Sequence, residues 1–408
     1  MNEFKDKKIA VLGLGANNQH LAKFLEASGV TFDVLENWTT PDELTEKIKN
    51  YDVVFRTPGL PFNSQAITEA IQLGVEVTSQ TKLFFKLCPA KIIGVTGTKG
   101  KGTTSSLIAE ILIASGVKTW LAGNIGRDPF EFISEIKPTD IVVMELSSFQ
   151  LQDLTQSPHL AVVLNITPDH LNHHLNLQEY IEAKSSIIKF QTSSDSAVLH
   201  PSLPAEFKAL GAGQKTLIDP ESVSSWSRKL IGKHNLDNIA AAATAARILG
   251  VPEEVITATV AQFNPLPHRL NLIRDLNGIV FIDDGFSTNI EPTIAAIESI
   301  ENAQVLIIGG HDKGLDFASV GQKIVSSAKV KAVIVIGDMT SKILTTLAGF
   351  QGQVLTGAKN MDEIISQSLS VAVAGDAVIF SPGTSSFGMF KNEYDRAEQF
   401  VTAVNNLQ

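Results

Sequence analysis

One run of eight residues, Gly94-Val95-Thr96-Gly97-Thr98-Lys99-Gly100-Lys101, limits what this chain can fold into. It follows an apolar segment, Ile92–Val95, and precedes a helical pattern near Thr103–Ala114. A strand, a glycine loop and a helix in that order make a phosphate cradle. Glycines let backbone N–H groups approach the phosphates, the helix start adds partial positive charge, and a lysine adds a full one. The run departs twice from the generic triphosphate pattern. Val95 stands at the first glycine, and Gly102 follows the lysine where a Ser or Thr hydroxyl ordinarily meets Mg²⁺. Thr103 and Thr104 come next, and Thr103 is expected to support the phosphates or the metal.

The cradle sits inside a longer β–α alternation. Lys8–Leu14 reads as a strand ending in Gly13-Leu14-Gly15, with further strands at Thr31–Leu35, Asp52–Arg56 and Val75–Val77. Beyond the cradle, strands are expected at Ile141–Glu145 and Ala161–Asn165. Helices follow near Leu177–Phe190 and Leu236–Leu249. Pro265-Leu266-Pro267 breaks the pattern and reads as a linker. Strands then return at Ile279–Ile282, Val305–Ile308, Ala332–Ile336 and Ala377–Phe380, with a last helix near Phe387–Ala403. Three α/β domains with mostly parallel sheets follow, at residues 1–90, 91–264 and 265–408.

Composition narrows the function. Of 408 residues, 44% are apolar and 19% charged, which is material for several cores. The net charge of −10 with no long basic run argues against a general nucleic-acid or membrane-surface binder. The single cysteine, Cys88, leaves no intrachain disulfide, and no apolar run approaches a membrane span. A cytoplasmic location is expected.

Three further positions carry chemistry. Glu145 ends a strand beside the cradle, where a carboxylate is a natural Mg²⁺ ligand; the bland reading is a helix cap or a surface acid. Asn165-Ile166-Thr167-Pro168-Asp169-His170 also follows a strand, and spacing does not separate His170 from His173 and His174 as a ligand. Lys184 shares a helical face with Tyr180, Ile181, Ile187 and Ile188. It either snorkels to solvent or is a buried lysine of shifted pKa near the metal.

Together these residues resemble the Mur ligase family, whose members build the bacterial cell-wall peptide. The resemblance rests on the cradle at 94–101, Glu145-Leu146-Ser147-Ser148-Phe149-Gln150-Leu151, the run 165–170, Gly232-Lys233-His234-Asn235, Pro267-His268-Arg269 and Ser381-Pro382-Gly383, in order over nearly the whole chain. It implies an N-terminal Rossmann-like UDP-binding domain, a central P-loop ATPase domain and a C-terminal Rossmann-like domain. ATP, Mg²⁺, UDP-N-acetylmuramoyl-L-alanine and glutamate are the implied ligands, for a monomer that forms an amide through an acyl phosphate.

The resemblance also implies roles. Gly97, Thr98, Lys99, Gly100, Lys101, Gly102, Thr103 and Thr104 would meet ATP, together with Asn235, Asn238, Arg269 and Asp284. Glu145 and His170 would hold Mg²⁺ with Thr103 and Lys184, the lysine that family members carbamylate. Lys101, His170 and Lys184 would form the catalytic set. Gly15, Glu36, Pro58, Gly59 and Asn124 would contact the nucleotide substrate, and Thr288, Lys313, Ser386 and Phe387 the glutamate. Lys99 and Gly102 depart from the family's cradle. Phe286 and Glu393 stand where D-glutamate enzymes commonly carry a lysine and an aromatic, and D-glutamate is nonetheless expected over L-glutamate. A folylpolyglutamate-type ligase is the nearest alternative. The α/β unit before residue 91 argues against it. A dehydrogenase, suggested by Gly13-Leu14-Gly15 with Glu36, leaves the second loop unexplained. A nucleotide-binding protein without chemistry, suggested by Gly102, leaves Glu145, His170 and Lys184 unexplained.

Overall fold

The computed structural model describes every residue except Leu171 and Asn172. The chain divides into two compact units, Met1–Ser227 with Leu236–Ala261, and Arg228–Asn235 with Gln262–Gln408. The described residues form three sheets, two in the first unit and one in the second.

The first sheet has strands β1 (Ile9–Leu12), β2 (Asp33–Leu35), β3 (Val53–Arg56) and β4 (Glu76–Ser79), in the order β2-β1-β3-β4 and all parallel. The second holds β5 (Lys91–Thr96), β6 (Thr119–Gly123), β7 (Ile141–Glu145), β8 (Leu160–Val163), β9 (Ser196–Leu199) and β10 (Gln214–Leu217), in the order β10-β9-β8-β5-β7-β6. It too is parallel throughout. Strands buried on both faces need continuous apolar runs, and Ile92, Ile93 and Val95 of β5 supply one. The order matters for chemistry. β5 lies between β7 and β8, so the cradle, Glu145 and the 165–170 loop leave from three neighbouring strand ends.

The two sheets of this unit are joined by a buried ion pair. Arg56, at the end of β3, donates to Asp153 at 2.7 Å and to the Phe149 carbonyl at 2.6 Å, with both side chains out of solvent. Breaking such a pair strands a charge in the interior, which costs about 3–5 kcal/mol.

The sheet of the second unit runs β11-β12-β16-β13-β14-β15, from β11 (Asn271–Leu276), β12 (Ile279–Asp283), β13 (Ala303–Gly309), β14 (Val330–Ile336), β15 (Gln353–Leu355) and β16 (Asp376–Phe380). Only the β11–β12 pair is antiparallel.

Some boundaries differ from expectation. The strand expected to reach Asn165 is regular only to Val163, beyond which the Leu164 N–H still pairs with the Thr96 carbonyl and the Asn165 carbonyl takes the Thr98 N–H. The last helix starts at Glu393, not near Phe387, since Gly388 takes φ +93° and Asn392 caps the helix through Asp395 N. No helix among the described residues is long and apolar enough to cross a membrane.

Candidate active site

The cradle is built by β5 and the helix Lys101–Ala114. Gly100 is the helix cap at φ +83°, a backbone that side chains rarely adopt, and a Cβ there would sit 2.1 Å from Asn238 Oδ1. Glycine is required twice over. Asn238 also accepts the Thr104 hydroxyl at 3.3 Å, which brings this expected nucleotide contact to the loop. Thr98 is tied to the 165–170 loop: its hydroxyl donates to the Thr167 carbonyl at 2.9 Å and accepts from Thr167 N–H at 2.9 Å. Lys101 folds back onto the Gly97 and Thr98 carbonyls at 3.3 and 3.0 Å, and Lys99 reaches Asp169 at 3.3 Å. Thr103 and Gly102 lie half-buried in the first helical turn.

Lys184 does not snorkel. It is 1% exposed on the helix Leu177–Lys189, and its ammonium donates to the Gly97 carbonyl at 2.9 Å. The amine lies 4.7 Å from the centre of the Tyr180 ring. Burial first, and Lys101 second, push its pKa well below the ordinary lysine value, against the opposing pull of Asp169 and Glu145. Glu145 is itself buried, at the end of β7. His170 is lowered too, chiefly by burial and then by Lys101, Lys184 and Lys99, despite Asp169. Burial raises Asp169, but Lys99 and His170 outweigh it and leave the carboxyl lower than usual. His170 holds φ +54°, the left-handed region, which marks a constrained backbone. Cradle, acid, imidazole and buried lysine are thus one electrostatic cluster.

Among the described residues, no three His, Cys, Asp or Glu side chains gather into a self-sufficient metal site. Magnesium does not need one, because it keeps waters and takes phosphate oxygens alongside one or two carboxylates. An imidazole whose charged form is disfavoured and one buried carboxylate beside a phosphate cradle suit that division of ligands.

The expected nucleotide-substrate contacts in the first unit fall on strand ends. Gly15 caps a helix after β1, Glu36 follows β2 and accepts the Leu14 N–H at 3.2 Å, and Pro58 and Gly59 follow β3. Asn124, after β6, donates its N–H to the Glu145 carbonyl at 3.2 Å.

The second unit gathers its own set. Asp284 follows β12, is 3% exposed, and accepts from Ser287, from Ser381 at 2.7 Å and from Leu270 N–H at 3.2 Å. Burial lifts its pKa to about 6 against those bonds and Arg269. Arg269 lies 5.9 Å from the Phe286 ring centre. Asn235 donates to the Ile231 carbonyl at 2.6 Å. Lys313 donates to Asn289, beside Thr288, at 3.1 Å. Ser386 Oγ is buried with no hydrogen-bond partner, and Phe387 is 58% exposed next to it. The ends of β12, β13 and β16, adjacent in the sheet, therefore carry all four expected glutamate contacts.

Two residues that sequence reasoning gave no role, Asp169 and Tyr180, belong to the site with His174, which spacing left as one of three candidate ligands. Asp169 neutralises Lys99. Tyr180 bonds Thr98 at 3.2 Å. His174 is buried against Ser148 at 2.9 Å. Asp169 sits in the quoted run and Tyr180 on the Lys184 stripe, so each carried a signal in the sequence.

Comparison with known proteins fits this geometry. Residues 95–214 match the family model of the Mur ligase middle domain, and residues 268–383 that of the Mur ligase, glutamate ligase domain. The UDP-N-acetylmuramoylalanine–D-glutamate ligase of Acetivibrio thermocellus is 34% identical, over 100% of this chain and 99% of its own. The chain belongs to the Mur ligase family. The enzyme of the same name from Ruminiclostridium cellulolyticum is 33% identical over 100% of this chain and 98% of its own. Among solved structures, the MurF ligase of Thermotoga maritima in complex with ADP aligns at a TM-score of 0.61 and 16% identity, covering 98% of this chain and 95% of that one. At that identity the likeness shows a shared Mur ligase fold.

Proposed function

We propose that this Mur ligase joins D-glutamate to UDP-N-acetylmuramoyl-L-alanine, with ATP cleaved to ADP and phosphate. The observation that carries the reading is the cluster at the cradle: buried Lys184 against the Gly97 carbonyl, with Lys101, Glu145 and His170 around it. Lys101 and the glycine N–H groups at a helix start favour a polyanion and the charge that develops on a transferring phosphoryl group.

In this reading a substrate carboxylate oxygen attacks the γ-phosphorus and ADP leaves, giving an acyl phosphate. The glutamate amine then attacks the acyl carbon, phosphate departs with the C–O bond's electrons, and the amine loses a proton. Lys101 uncurls from its loop carbonyls to hold the phosphates. Glu145 and His170, with support from Thr103 and Lys184, would hold magnesium, which would supply neutralising charge. Lys184, whose burial disfavours the charged form, is suited to take up CO₂ as a carbamate with release of a proton from its neutral amine, which would turn it into an anionic oxygen ligand.

Gly15, Glu36, Pro58, Gly59 and Asn124 would recognise the nucleotide substrate. Asn235, Asn238, Arg269 and Asp284 would contact ATP. Thr288, Lys313, Ser386 and Phe387 would take glutamate, where the unpartnered Ser386 hydroxyl suits a carboxylate. In this reading residues 1–90 would form a UDP-substrate-binding domain, 91–264 the ATP-binding domain and 265–408 a glutamate- and ATP-binding domain, in a cytoplasmic monomer.

Phosphate release with ATP, UDP-N-acetylmuramoyl-L-alanine and each glutamate enantiomer tests the reading. D-glutamate is expected to support turnover, and silence with both enantiomers would sink it. L-glutamate is the second reading, favoured by Phe286, which packs on Tyr394 at 4.6 Å where a lysine is otherwise common.

A further inference from the structure

Phe149 sits among three imidazoles. His170, His173 and His174 lie 5.2, 5.4 and 5.2 Å from its ring centre. Of the three, His174 is the one that is buried and bonded through each ring nitrogen. Nδ1 meets the Glu179 carboxylate at 2.5 Å and Nε2 the Ser148 hydroxyl at 2.9 Å. Its ring stacks on Phe149 at 10° and meets Tyr180 edge-on at 5.1 Å.

These partners stand on different segments. Ser148 opens the turn three residues after Glu145, and a capping box between Ser147 and Gln150 stiffens that turn. Glu179 begins the helix that carries Lys184, and its second oxygen accepts from Gln152 at 2.9 Å. Tyr180 reaches Thr98 of the cradle with its hydroxyl and faces the Lys184 amine with its ring. A network whose members are all satisfied holds one geometry, because each broken bond strands a buried polar group.

We propose that His174 is a positioning residue that locks the Glu145-bearing turn to the Lys184-bearing helix and so sets the geometry in which metal and nucleotide are held. This rests on the metal–nucleotide role proposed above for Glu145 and Lys184. His174 touches neither ligand. Its Ser148 bond fixes the acid's turn, and its Glu179 bond fixes the helix.

The test is Mn²⁺ binding to the full chain, read by electron paramagnetic resonance with a non-hydrolysable ATP analogue and corrected for folded fraction by thermal melting. His174→Ala and Ser148→Ala are expected to weaken Mn²⁺ binding about tenfold, in the range seen when groups behind metal ligands are removed. His174→Gln, which keeps a polar atom near Nε2, is expected to recover most of the loss. A merely structural histidine would lower the melting temperature and leave Mn²⁺ affinity per folded molecule unchanged. Wild-type-like affinity in His174→Ala, or in Ser148→Ala if the first fails to fold, overturns the proposal. Absence of Mn²⁺ binding by the wild type with nucleotide overturns the underlying metal reading instead.

Discussion

The two units treat buried charge in opposite ways. The first buries a cation, Lys184, bonded to a backbone carbonyl with a second lysine nearby. The second buries an acid, Asp284, and gives it two hydroxyls and a backbone N–H. An acid satisfied by neutral donors is complete as it stands. A buried ammonium whose nearest strong partner is a carbonyl is not, and burial drives it toward the neutral amine. The difference separates a site waiting for negative charge from one already organised.

The largest test of that contrast is Lys184→Met. An apolar side chain of similar length removes the desolvated amine, so the folded state is expected to gain about 1 kcal/mol, measured by urea denaturation. Turnover is expected to fall by more than about a thousandfold, since the proposed carbamate and its charge go with it. A stability gain together with lost activity would mark Lys184 as strained for function. A stability loss of several kcal/mol would mean the ammonium is a satisfied core group, and the contrast fails.

Asp284→Asn probes the other side. Its folded pKa of about 6 lies above the ordinary 3.8. A raised acid favours folding fully below the unfolded value, and that stability is lost as pH rises through the folded value. Wild-type stability is therefore expected to decline between about pH 4 and about pH 6 by on the order of 2–3 kcal/mol from this group. The asparagine variant should lose that component of the slope. An unchanged slope in denaturant midpoints from about pH 4 to about pH 7 would show that Asp284 is ionised at no cost.

How far the molecule was readable from its sequence depends on the region. β5, β7, β12, β13 and β16 are built on buried apolar runs, so their positions were legible. β6, β9, β10, β11 and β15 were not, because β9, β10 and β15 have four residues or fewer and β6, β10, β11 and β15 carry half-exposed or exposed residues at the edges of their sheets. The cradle announced itself through glycine and lysine spacing. The fate of Lys184 did not, since an apolar stripe allows both snorkelling and burial until the neighbouring strand is in place. Spacing does not separate His170, His173 and His174, and it takes burial and the Ser148 and Glu179 contacts to distinguish His174. The glutamate set came from resemblance, as Thr288, Lys313 and Ser386 are nearly 100 residues apart at their extremes and no periodicity links them.

Lys313→Ala sharpens the contrast at its exposed edge. This lysine is solvent-accessible and donates to the neutral side-chain amide of Asn289, so its loss is expected to leave the fold intact. The Michaelis constant for glutamate should rise about tenfold, the worth of one charge-assisted bond, with little change for ATP. An equal rise for both substrates would remove Lys313 from the amino-acid site.

The smallest expected effect is at Gly102. It lies in the first turn of the helix Lys101–Ala114, at the cradle that lacks the usual hydroxyl after the lysine. Serine restores that hydroxyl and is a better helix residue than glycine by about 0.5 kcal/mol. Gly102→Ser is therefore expected to raise stability by roughly that amount and to lower the Mg²⁺ concentration for half-maximal turnover by about threefold. Combining it with Thr103→Ala separates two arrangements. If Thr103 serves the metal in the natural chain, its removal should weaken Mg²⁺ dependence alone but be tolerated in the Gly102→Ser background. If water fills the place, Thr103→Ala should do nothing in either background, and the cradle's positive cluster must then hold its phosphates with one protein ligand fewer than the generic loop.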